Sequence, residues 1–390
     1  MTSLPFAAAQ PQAGIPAARH AERLARARAL AAEQGLDALL VGVGADLRYL
    51  AGYDALALER LTLLVVPVAG RPTLLAPRLE AAATAVAPAI ASGEVHLETW
   101  EETDDPLLRV RDLLGDRAGR LAVSDRLAAH FLLGLQALMP DASWSLASAV
   151  VGRLRIVKDA DEIALLEHAA HAADQVIHEV VNGRLVGRTE ADVAREIRDR
   201  LIAWGHDRAD FAIVGSGPNS ASPHHAASDR VIRPGEPIVL DIGGPMRGYG
   251  SDISRTVWVT GGDPTHGPDR GFLRLYGVLR GAQAEATHAV RPGVAAERID
   301  LVARELISAA GYGQHFIHRT GHGIGLEEHE PPYIVAGNVE PIRPGMAFSV
   351  EPGIYLEGRY GARIEDIVVC AEDGPMVLNE ASRDLLVVTG

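Results

Sequence analysis

The stretch VLDIGGPMRGYGSDISRT, residues 239–256, places two aspartates inside apolar strand sequence. Four glycines and a proline lie between Asp241 and Asp252 and predict a chain reversal, so that the flanking runs pair as antiparallel strands. A carboxylate buried in a strand is unfavourable unless it is paired or binds a cation. A turn-capping role is the simpler interpretation of Asp241 alone, but two carboxylates on one ladder repel each other unless a cation lies between them. The stretch therefore predicts a metal site on a β-hairpin.

The same arrangement recurs towards the C-terminal end of the sequence. SVEPGIY (349–355) and GARIEDIV (361–368) place Glu351 and Glu365 inside two apolar runs that predict a second hairpin. Side-chain alternation puts Asp366 on the face opposite to Glu365, so we expect Asp366 to be the more exposed of the two. A lone strand glutamate is usually solvated, but two glutamates added to two aspartates favour a four-carboxylate metal cluster.

GHGIGLEEH, residues 321–329, supplies a nitrogen ligand, His322, between glycines that let the backbone approach closely. One imidazole and four carboxylates exceed the three or four ligands of a single zinc site. They suit two divalent ions about 3.5–4 Å apart that share carboxylates. Carboxylate-rich ligation favours Mn²⁺, with Co²⁺ and Zn²⁺ as alternatives because of the imidazole.

Further polar residues flank these motifs. For His224, His318 and His329 taken one at a time, an ordinary surface or packed histidine explains the sequence about as well as a functional one. Their position beside the ligand motifs favours a role in supporting the metal ligands or contacting a substrate. Arg363 lies two residues before Glu365, where it can orient that carboxylate or hold a substrate carboxylate through two hydrogen bonds. The alternative is an ordinary surface arginine.

Composition narrows the function classes. The chain has 390 residues with 37 basic and 51 acidic side chains, a net charge of −14, so the basic face of a nucleic-acid-binding protein is not expected. No apolar run reaches the roughly 18 residues of a membrane span, and residues 81–92 are expected to form a packed helix. Residues 1–16 lack the basic start of a signal peptide and predict a flexible lead-in. With a lone cysteine, Cys370, these features predict a cytoplasmic protein.

Hydrophobic periodicity divides the rest of the chain into two domains. Residues 17–151 alternate helix and short buried strands and predict an α/β domain. Its helix is expected at 17–35 and its strands at 36–43, 61–68, 72–77 and 121–125. After a short strand near 151–159, residues 159–390 show two helices followed by strands, twice, which predicts an α+β domain with two related halves around one sheet. Its helices are expected from about 159 and at 189–205, 268–290 and 295–310.

Taken together, these motifs resemble the pita-bread metallopeptidases, which include methionine aminopeptidase, aminopeptidase P and prolidase. The ordered ligands of that group are matched by Asp241, Asp252, His322, Glu351 and Glu365. The resemblance covers about residues 159–390 and implies a pita-bread catalytic domain. Residues 17–151 resemble the N-terminal domain of the creatinase, prolidase and aminopeptidase P branch. Methionine aminopeptidases generally lack that domain and creatinase lacks the metal ligands, which disfavours both.

The resemblance also implies a role for each residue. Asp241 would bind one metal with both oxygens, while Asp252 and Glu365 would bridge the two metals. His322 and Glu351 would hold the second metal. A bridging hydroxide would attack the carbonyl of an Xaa-Pro bond, with Glu351 taking the proton as general base. His224, His318 and His329 match three family histidines that contact substrate or stabilise the tetrahedral intermediate. The candidate catalytic residues are therefore His224, His318, His329, Glu351 and Arg363.

One departure from the resemblance bears on substrate length. Some prolidases carry an arginine four residues beyond the match to His329, where it can clamp the dipeptide carboxylate, but this sequence has Tyr333. Arg363 or Arg359 would have to substitute. The run HEPPYIVAGN, residues 329–338, nevertheless resembles bacterial members described as Xaa-Pro dipeptidases.

The first hypothesis is thus an Xaa-Pro dipeptidase, or prolidase, that acts on small peptides with proline in second position. The alternative is aminopeptidase P, which acts on longer peptides, and a remoter one is a non-catalytic binding module on the same fold. The resemblance further implies a homodimer, with an N-terminal domain that shapes the mouth of the site. Neither a nucleic acid nor a membrane is expected as a partner.

Overall fold

The computed structural model describes residues 14–115 and 119–390, which fold into two compact units with the boundary between Arg155 and Ile156. Residues 1–13 of the expected lead-in lie outside the described residues. Within the described ranges, no helix is both long and apolar enough to cross a lipid bilayer.

The N-terminal unit is built on a six-stranded sheet in the order β4-β3-β2-β1-β5-β6. Its strands are β1 (Ala38–Gly42), β2 (Leu63–Pro67), β3 (Thr73–Pro77), β4 (His96–Trp100), β5 (Arg120–Val123) and β6 (Ser143–Leu146). Its helices are α1 (Ala17–Glu33), α2 (Ala45–Ala51), α3 (Ala81–Ala85), α4 (Pro88–Ala91), α5 (Pro106–Leu114), α6 (Ala129–Leu138) and α7 (Val151–Arg155). Apolar runs on β1, β2 and β3 are buried, which gives the unit its own core.

Three expectations for this unit need correction. The sequence pattern does not predict β4 or β6, because the sequences HLETW and SWSL lack a continuous apolar run. Residues 81–92 form two short helices, since Pro88 begins the second at a position where its missing N–H is tolerated. The chain near the boundary forms helix α7 and not a strand.

The C-terminal unit repeats a helix pair followed by strands. Its helices are α8 (Ala160–Val181), α9 (Glu190–Ala203), α10 (Arg270–His288) and α11 (Ala296–Ala309). Its first strands are β7 (Phe211–Ser216), β8 (Glu236–Met246) and β9 (Tyr249–Val259). The later strands are β10 (Gly321–Gly323), β11 (Glu330–Ile334), β12 (Ala347–Val350), β13 (Gly353–Leu356), β14 (Tyr360–Arg363), β15 (Asp366–Ala371), β16 (Gly374–Val377) and β17 (Leu386–Val388).

Each helix pair packs on a sheet of its own, so the expectation of one shared sheet is wrong. The described residues of this unit form a four-stranded sheet β17-β9-β8-β7, a five-stranded sheet β11-β10-β12-β15-β16 and the two-stranded ribbon β13-β14. Ile197 of α9 lies in the same apolar cluster as Ile253 of β9. Leu279 of α10 lies in a second cluster with Phe348 of β12. The expected α/β domain followed by an α+β domain is otherwise what the chain forms.

Candidate metal centre

The hairpin of β8 and β9 carries both predicted aspartates on one face. Asp241 pairs with Ser254, and Asp252 pairs with Gly243, so the two carboxylates are diagonal neighbours on the ladder and do not face each other directly. Asp241 is 8% exposed and Asp252 is 3% exposed. Only glycine fits opposite Asp252, because a Cβ on Gly243 would lie 2.4 Å from the ring of Phe211.

The two glutamates lie at strand ends rather than within one hairpin. Glu351 follows β12, and Glu365 lies between β14 and β15. Because β12 pairs with β15 while β13 pairs with β14, the two glutamates do not belong to one hairpin. The Glu365 backbone N–H donates to the Ser254 carbonyl (3.1 Å), and the Ser254 hydroxyl donates to Glu365 Oε2 (2.8 Å). This contact places a glutamate from the second sheet beside the aspartate hairpin.

Asp366 is fully buried, so the expectation that it is the more exposed neighbour of Glu365 is wrong. Its carboxylate accepts hydrogen bonds from Arg255 (2.7 Å), Arg383 (2.5 Å) and Gln283 (2.8 Å). Arg255 also donates to the Glu365 carbonyl (2.6 Å). The alternation rule fails here because both faces of β15 are covered, and Asp366 fixes the backbone that presents Glu365.

His322 lies on β10 with its ring in the tautomer that a metal ligand needs. Its Nδ1 lies 3.2 Å from the Gly323 carbonyl and therefore carries the proton, which leaves Nε2 unprotonated. Nε2 lies 3.3 Å from Glu351 Oε1 and 3.6 Å from Asp252 Oδ2. The backbone is close-packed, since a Cβ on the preceding Gly321 would lie 1.8 Å from the Ser349 carbonyl oxygen.

The five predicted ligands come together in overlapping groups. In each group the ligand atoms lie within 4.8 Å of one another. The groups are Asp241–Asp252–Glu365, His322–Glu351–Glu365 and Asp252–His322–His329. Because Glu365 belongs to two groups and Asp252 to two, the donors form one continuous cluster.

Electrostatics show that this cluster suits a cation. Burial raises the pKa of Glu351 to about 7, and burial together with neighbouring carboxylates raises the pKa of Asp252 and of Glu365 well above the usual range. Asp241 Oδ1 is buried without a hydrogen-bond partner among the described residues. Oxygen donors and one imidazole, with a free buried carboxylate oxygen, are the donor set of a divalent metal site.

Arg363 is buried and holds Asp241, so the interpretation as a surface arginine is wrong. Its Nη2 donates to Asp241 Oδ2, and its Nε donates to the Ser254 hydroxyl (2.8 Å). Nη1 donates to the Tyr355 hydroxyl (3.2 Å) and the Pro223 carbonyl (3.2 Å). The guanidinium therefore fixes Oδ2 of Asp241 and leaves Oδ1 without a protein partner among the described residues. The carboxylate that Arg363 contacts directly is thus Asp241 and not Glu365.

His318 is locked as a neutral imidazole. Its Nδ1 donates to the Arg319 carbonyl (2.7 Å), so Nε2 accepts a hydrogen bond from the Tyr355 hydroxyl (2.9 Å). Burial, with the charge of Arg363, lowers the pKa of His318 to about 3. Tyr355 is a site residue that the sequence reasoning missed. Its only signal is its position in the motif SVEPGIY, four residues after Glu351.

The two remaining histidines differ in placement. The His329 ring centroid lies 3.8 Å from that of His322, and His329 is half-exposed. His224 is exposed in the loop after β7, yet its charge influences the pKa of Asp241 and of His318, so it lies within electrostatic range of the cluster. The neighbouring His225 instead donates to buried Glu190 (2.7 Å) and serves the loop structure.

A buried ion pair supports the loop between His322 and His329. Lys158, the only lysine in the chain, donates to Glu330 Oε1 (2.6 Å), and both side chains are nearly inaccessible to water. A Cβ on Gly325 would lie 2.6 Å from Glu330 Oε1 and 3.0 Å from Lys158 Cε, so the loop backbone lies directly against the pair. Lysine presents a compact ammonium group to Glu330, in a chain otherwise rich in arginine.

Comparisons with known proteins agree with this fold. A pita-bread fold with a buried carboxylate and imidazole cluster defines a metal-dependent peptidase. The chain belongs to metallopeptidase family M24, whose family model matches residues 164–372, and the Creatinase/Prolidase N-terminal domain matches residues 23–157. The family resemblance expected from the motifs is therefore confirmed, and membership of a metallopeptidase family implies a divalent metal.

Individual relatives are similar along nearly the whole chain. A probable dipeptidase PepE of Mycobacterium tuberculosis is 46% identical over 373 residues, 95% of this chain and 96% of that protein. An Xaa-Pro dipeptidase of Lactobacillus delbrueckii subsp. lactis is 34% identical over 367 residues, 91% of this chain and 96% of that protein. The crystal structure of dipeptidase PepE from Mycobacterium ulcerans superposes with a TM-score of 0.90 at 45% identity, covering 96% of this chain and 100% of that one.

Loss of the buried ion pair should destabilise the C-terminal unit. Lys158→Met leaves the Glu330 carboxylate buried without its cation, which we expect to lower the free energy of unfolding by about 3–5 kcal/mol. Urea denaturation followed by circular dichroism measures this. The matched control is Arg195→Met, which breaks the exposed pair with Asp192 and should lower it by less than about 1 kcal/mol. Equal effects of the two substitutions would contradict the assignment.

Metal-free protein should lose stability as the pH rises from about 7 to about 8.5. Glu351, with a pKa of about 7, and the more strongly raised Asp252 and Glu365 hold protons in the folded state that the unfolded chain has already released. The stability they contribute is present at low pH and is lost as pH rises through the folded pKa values. His318 and His322, whose pKa values are lowered to about 3, are neutral in the folded protein, and above pH 7 unfolded imidazoles are mostly neutral too, so these two residues contribute little over this range.

The measurement is the melting temperature at both pH values with and without Mn²⁺. Metal ligands are deprotonated when bound, so loaded protein should not show the fall and loading should release protons. A metal-free protein that is as stable at the higher pH as at the lower one would contradict burial of these carboxylates.

Proposed function

We propose that this protein is an Xaa-Pro dipeptidase that uses two divalent metal ions, most simply Mn²⁺, to hydrolyse small peptides with proline in second position. The observation that carries the proposal is the buried cluster of four carboxylates and one imidazole on a family M24 fold. Relatives named Xaa-Pro dipeptidase, which match most of this chain, support the substrate class.

The proposed ligand assignment follows the overlapping groups. Asp241 would bind one ion through Oδ1, the buried oxygen that has no protein partner among the described residues. Glu365 and Asp252, which each belong to one group with Asp241 and to another with His322, would be shared between the ions. His322 would bind the second ion through its unprotonated Nε2, together with Glu351. Divalent ions held there would supply Lewis acidity, which lowers the pKa of water and polarises a substrate carbonyl.

The protein groups around the cluster suit proton transfer and charge stabilisation. Glu351 Oε1 accepts a hydrogen bond from the Ser349 hydroxyl (3.1 Å), which fixes the carboxylate that we propose as the general base. Tyr355 lies beside the cluster with its hydroxyl between His318 and Arg363. After a small rotation this hydroxyl could donate a hydrogen bond to a developing oxyanion. His329 and His224 are proposed to contact the substrate from the open side.

A second candidate function, aminopeptidase P, is favoured by one observation. Tyr333 occupies the position where some prolidases carry the arginine that clamps a dipeptide carboxylate. Without a replacement cation the site would accept longer peptides. A homodimer and a cytoplasmic location stay predictions of the sequence.

Hydrolysis of Ala-Pro and Ala-Pro-Pro by Mn²⁺-loaded protein tests the proposal. We expect the dipeptide to be cleaved with the higher kcat/KM. Glu351→Gln keeps the side-chain size but removes the proton acceptor and a metal ligand, and should lower kcat by about 10²–10⁴-fold. The matched control is Glu357→Gln, a change in the exposed turn between β13 and β14 that should leave kcat unchanged.

The comparison of the two peptides separates the candidates. Preference for Ala-Pro-Pro would assign the protein to aminopeptidase P activity. Cleavage of neither peptide with Mn²⁺, Co²⁺ or Zn²⁺ would overturn both proline-peptidase functions. Metal content of the Glu351→Gln protein, measured in parallel, separates loss of the base from loss of an ion.

A further inference from the structure

Arg319 lies against the tyrosine that replaces the expected arginine. Its guanidinium carbon is 4.5 Å from the centroid of the Tyr333 ring, a cation–π distance. The two residues meet because β10 and β11 are antiparallel neighbours, in which Gly321 pairs with Ile334 and the Thr320 N–H donates to the Ile334 carbonyl (3.0 Å). The strand pairing thus places the guanidinium of Arg319 beside the side chain of Tyr333.

The guanidinium is also tied to the metal cluster. Arg319 Nη2 donates to His329 Nδ1 (3.4 Å), and the His329 ring packs on the ring of the ligand His322. Burial lowers the pKa of both histidines and the positive charge of Arg319 adds to that effect, while the same charge partly offsets the burial that raises the pKa of Glu351. Arg319 therefore lies within electrostatic range of the site where the scissile bond would be held.

Arg319 differs from Arg363 and Arg304 because it has no ion-pair partner among the described residues. Across residues 14–115 and 119–390, no carboxylate oxygen lies within 4 Å of it. By contrast, Arg363 pairs with Asp241 and Arg304 pairs with Asp300. Arginine presents five N–H donors in a rigid fork that matches a carboxylate. A fork that is stacked on a ring, partly exposed and without an internal anion is preorganised for an anionic group of a ligand.

We propose that Arg319, held in place by Tyr333, binds the C-terminal carboxylate of the substrate and is the residue that selects dipeptides. This inference rests on the proposed peptidase function. In Ala-Pro the proline carboxylate is adjacent to the scissile bond, whereas in a tripeptide the free carboxylate lies one residue further away. The chemical class of the preferred substrate is therefore a dipeptide with a free carboxylate next to the cleaved Xaa-Pro bond.

The two other arginines named from the sequence are less suited to this role. Every guanidinium nitrogen of Arg363 already donates to Asp241, Ser254, Tyr355 or Pro223. Arg359 stacks on Tyr360, whose ring packs on Phe272 of α10. Arg359 thus provides a matched control. It is also an arginine stacked on a tyrosine in the C-terminal unit, but its tyrosine packs on α10.

The test compares Ala-Pro with Ala-prolinamide, which differ in the carboxylate alone. We expect Arg319→Gln to lower kcat/KM for Ala-Pro by about 10- to 100-fold, mainly through KM, because a charge-assisted hydrogen bond is lost. The same variant should change kcat/KM for the amide by less than about threefold. Tyr333→Leu, which removes the stacking surface, should give a smaller loss that is again confined to Ala-Pro. Arg359→Gln should alter neither substrate.

Calorimetric binding of proline and prolinamide to metal-loaded protein gives a readout that does not need turnover. Arg319→Gln should weaken proline binding by a similar factor and leave prolinamide binding unchanged, and Arg319→Lys, which keeps the charge, should retain part of the preference. An equal loss for the acid and the amide, or no loss for either, would overturn the proposal, since Arg319 would then act through His329 or not at all. Hydrolysis of neither peptide by the unmodified protein would overturn the proposed function, while calorimetry would still decide the role of Arg319.

Discussion

Repulsion among four buried carboxylates is the constraint on which the C-terminal unit depends. Two come from the β8–β9 hairpin, and two come from the ends of strands in the second sheet, so both halves of the unit contribute acids to one cluster. Ionised carboxylates in such a place are unfavourable unless cations balance them. The raised pKa values of these groups express the same imbalance in the protein without metal. Cations bound by acids from both halves would therefore stabilise the joining of the two halves.

Buried polar contacts support several of the candidate ligands from behind. Arg363 fixes one oxygen of Asp241, and Arg255 and Asp366 fix the backbone of Glu365. Lys158 and Glu330 support the loop that carries the histidines. Such contacts orient ligands while leaving the metal-facing atoms free, which is how outer residues tune a metal site.

The sequence indicates the chemistry of this protein better than its architecture. The five candidate ligands, which the structure brings into one cluster, could be named because acids inside apolar strands are rare enough to be informative. The pairing could not be predicted: the expected hairpin with Glu351 and Glu365 is two separate pairings, and one expected sheet is three. Asp366 was misplaced because alternation predicts a face but not whether that face is covered. The proposed role of Arg319 has no local signal in the sequence, because it depends on the contact with Tyr333 on a neighbouring strand.

The number of metal ions bound by each chain tests the central claim most directly. Protein dialysed against Mn²⁺ and then against metal-free buffer would be analysed by plasma mass spectrometry, with Glu365→Gln in parallel. We expect two ions per chain, and at most one in the variant because Glu365 shares one group with Asp241 and another with His322. One ion or none in the unmodified chain, with no change in the variant, would contradict a shared carboxylate cluster that is balanced by two cations.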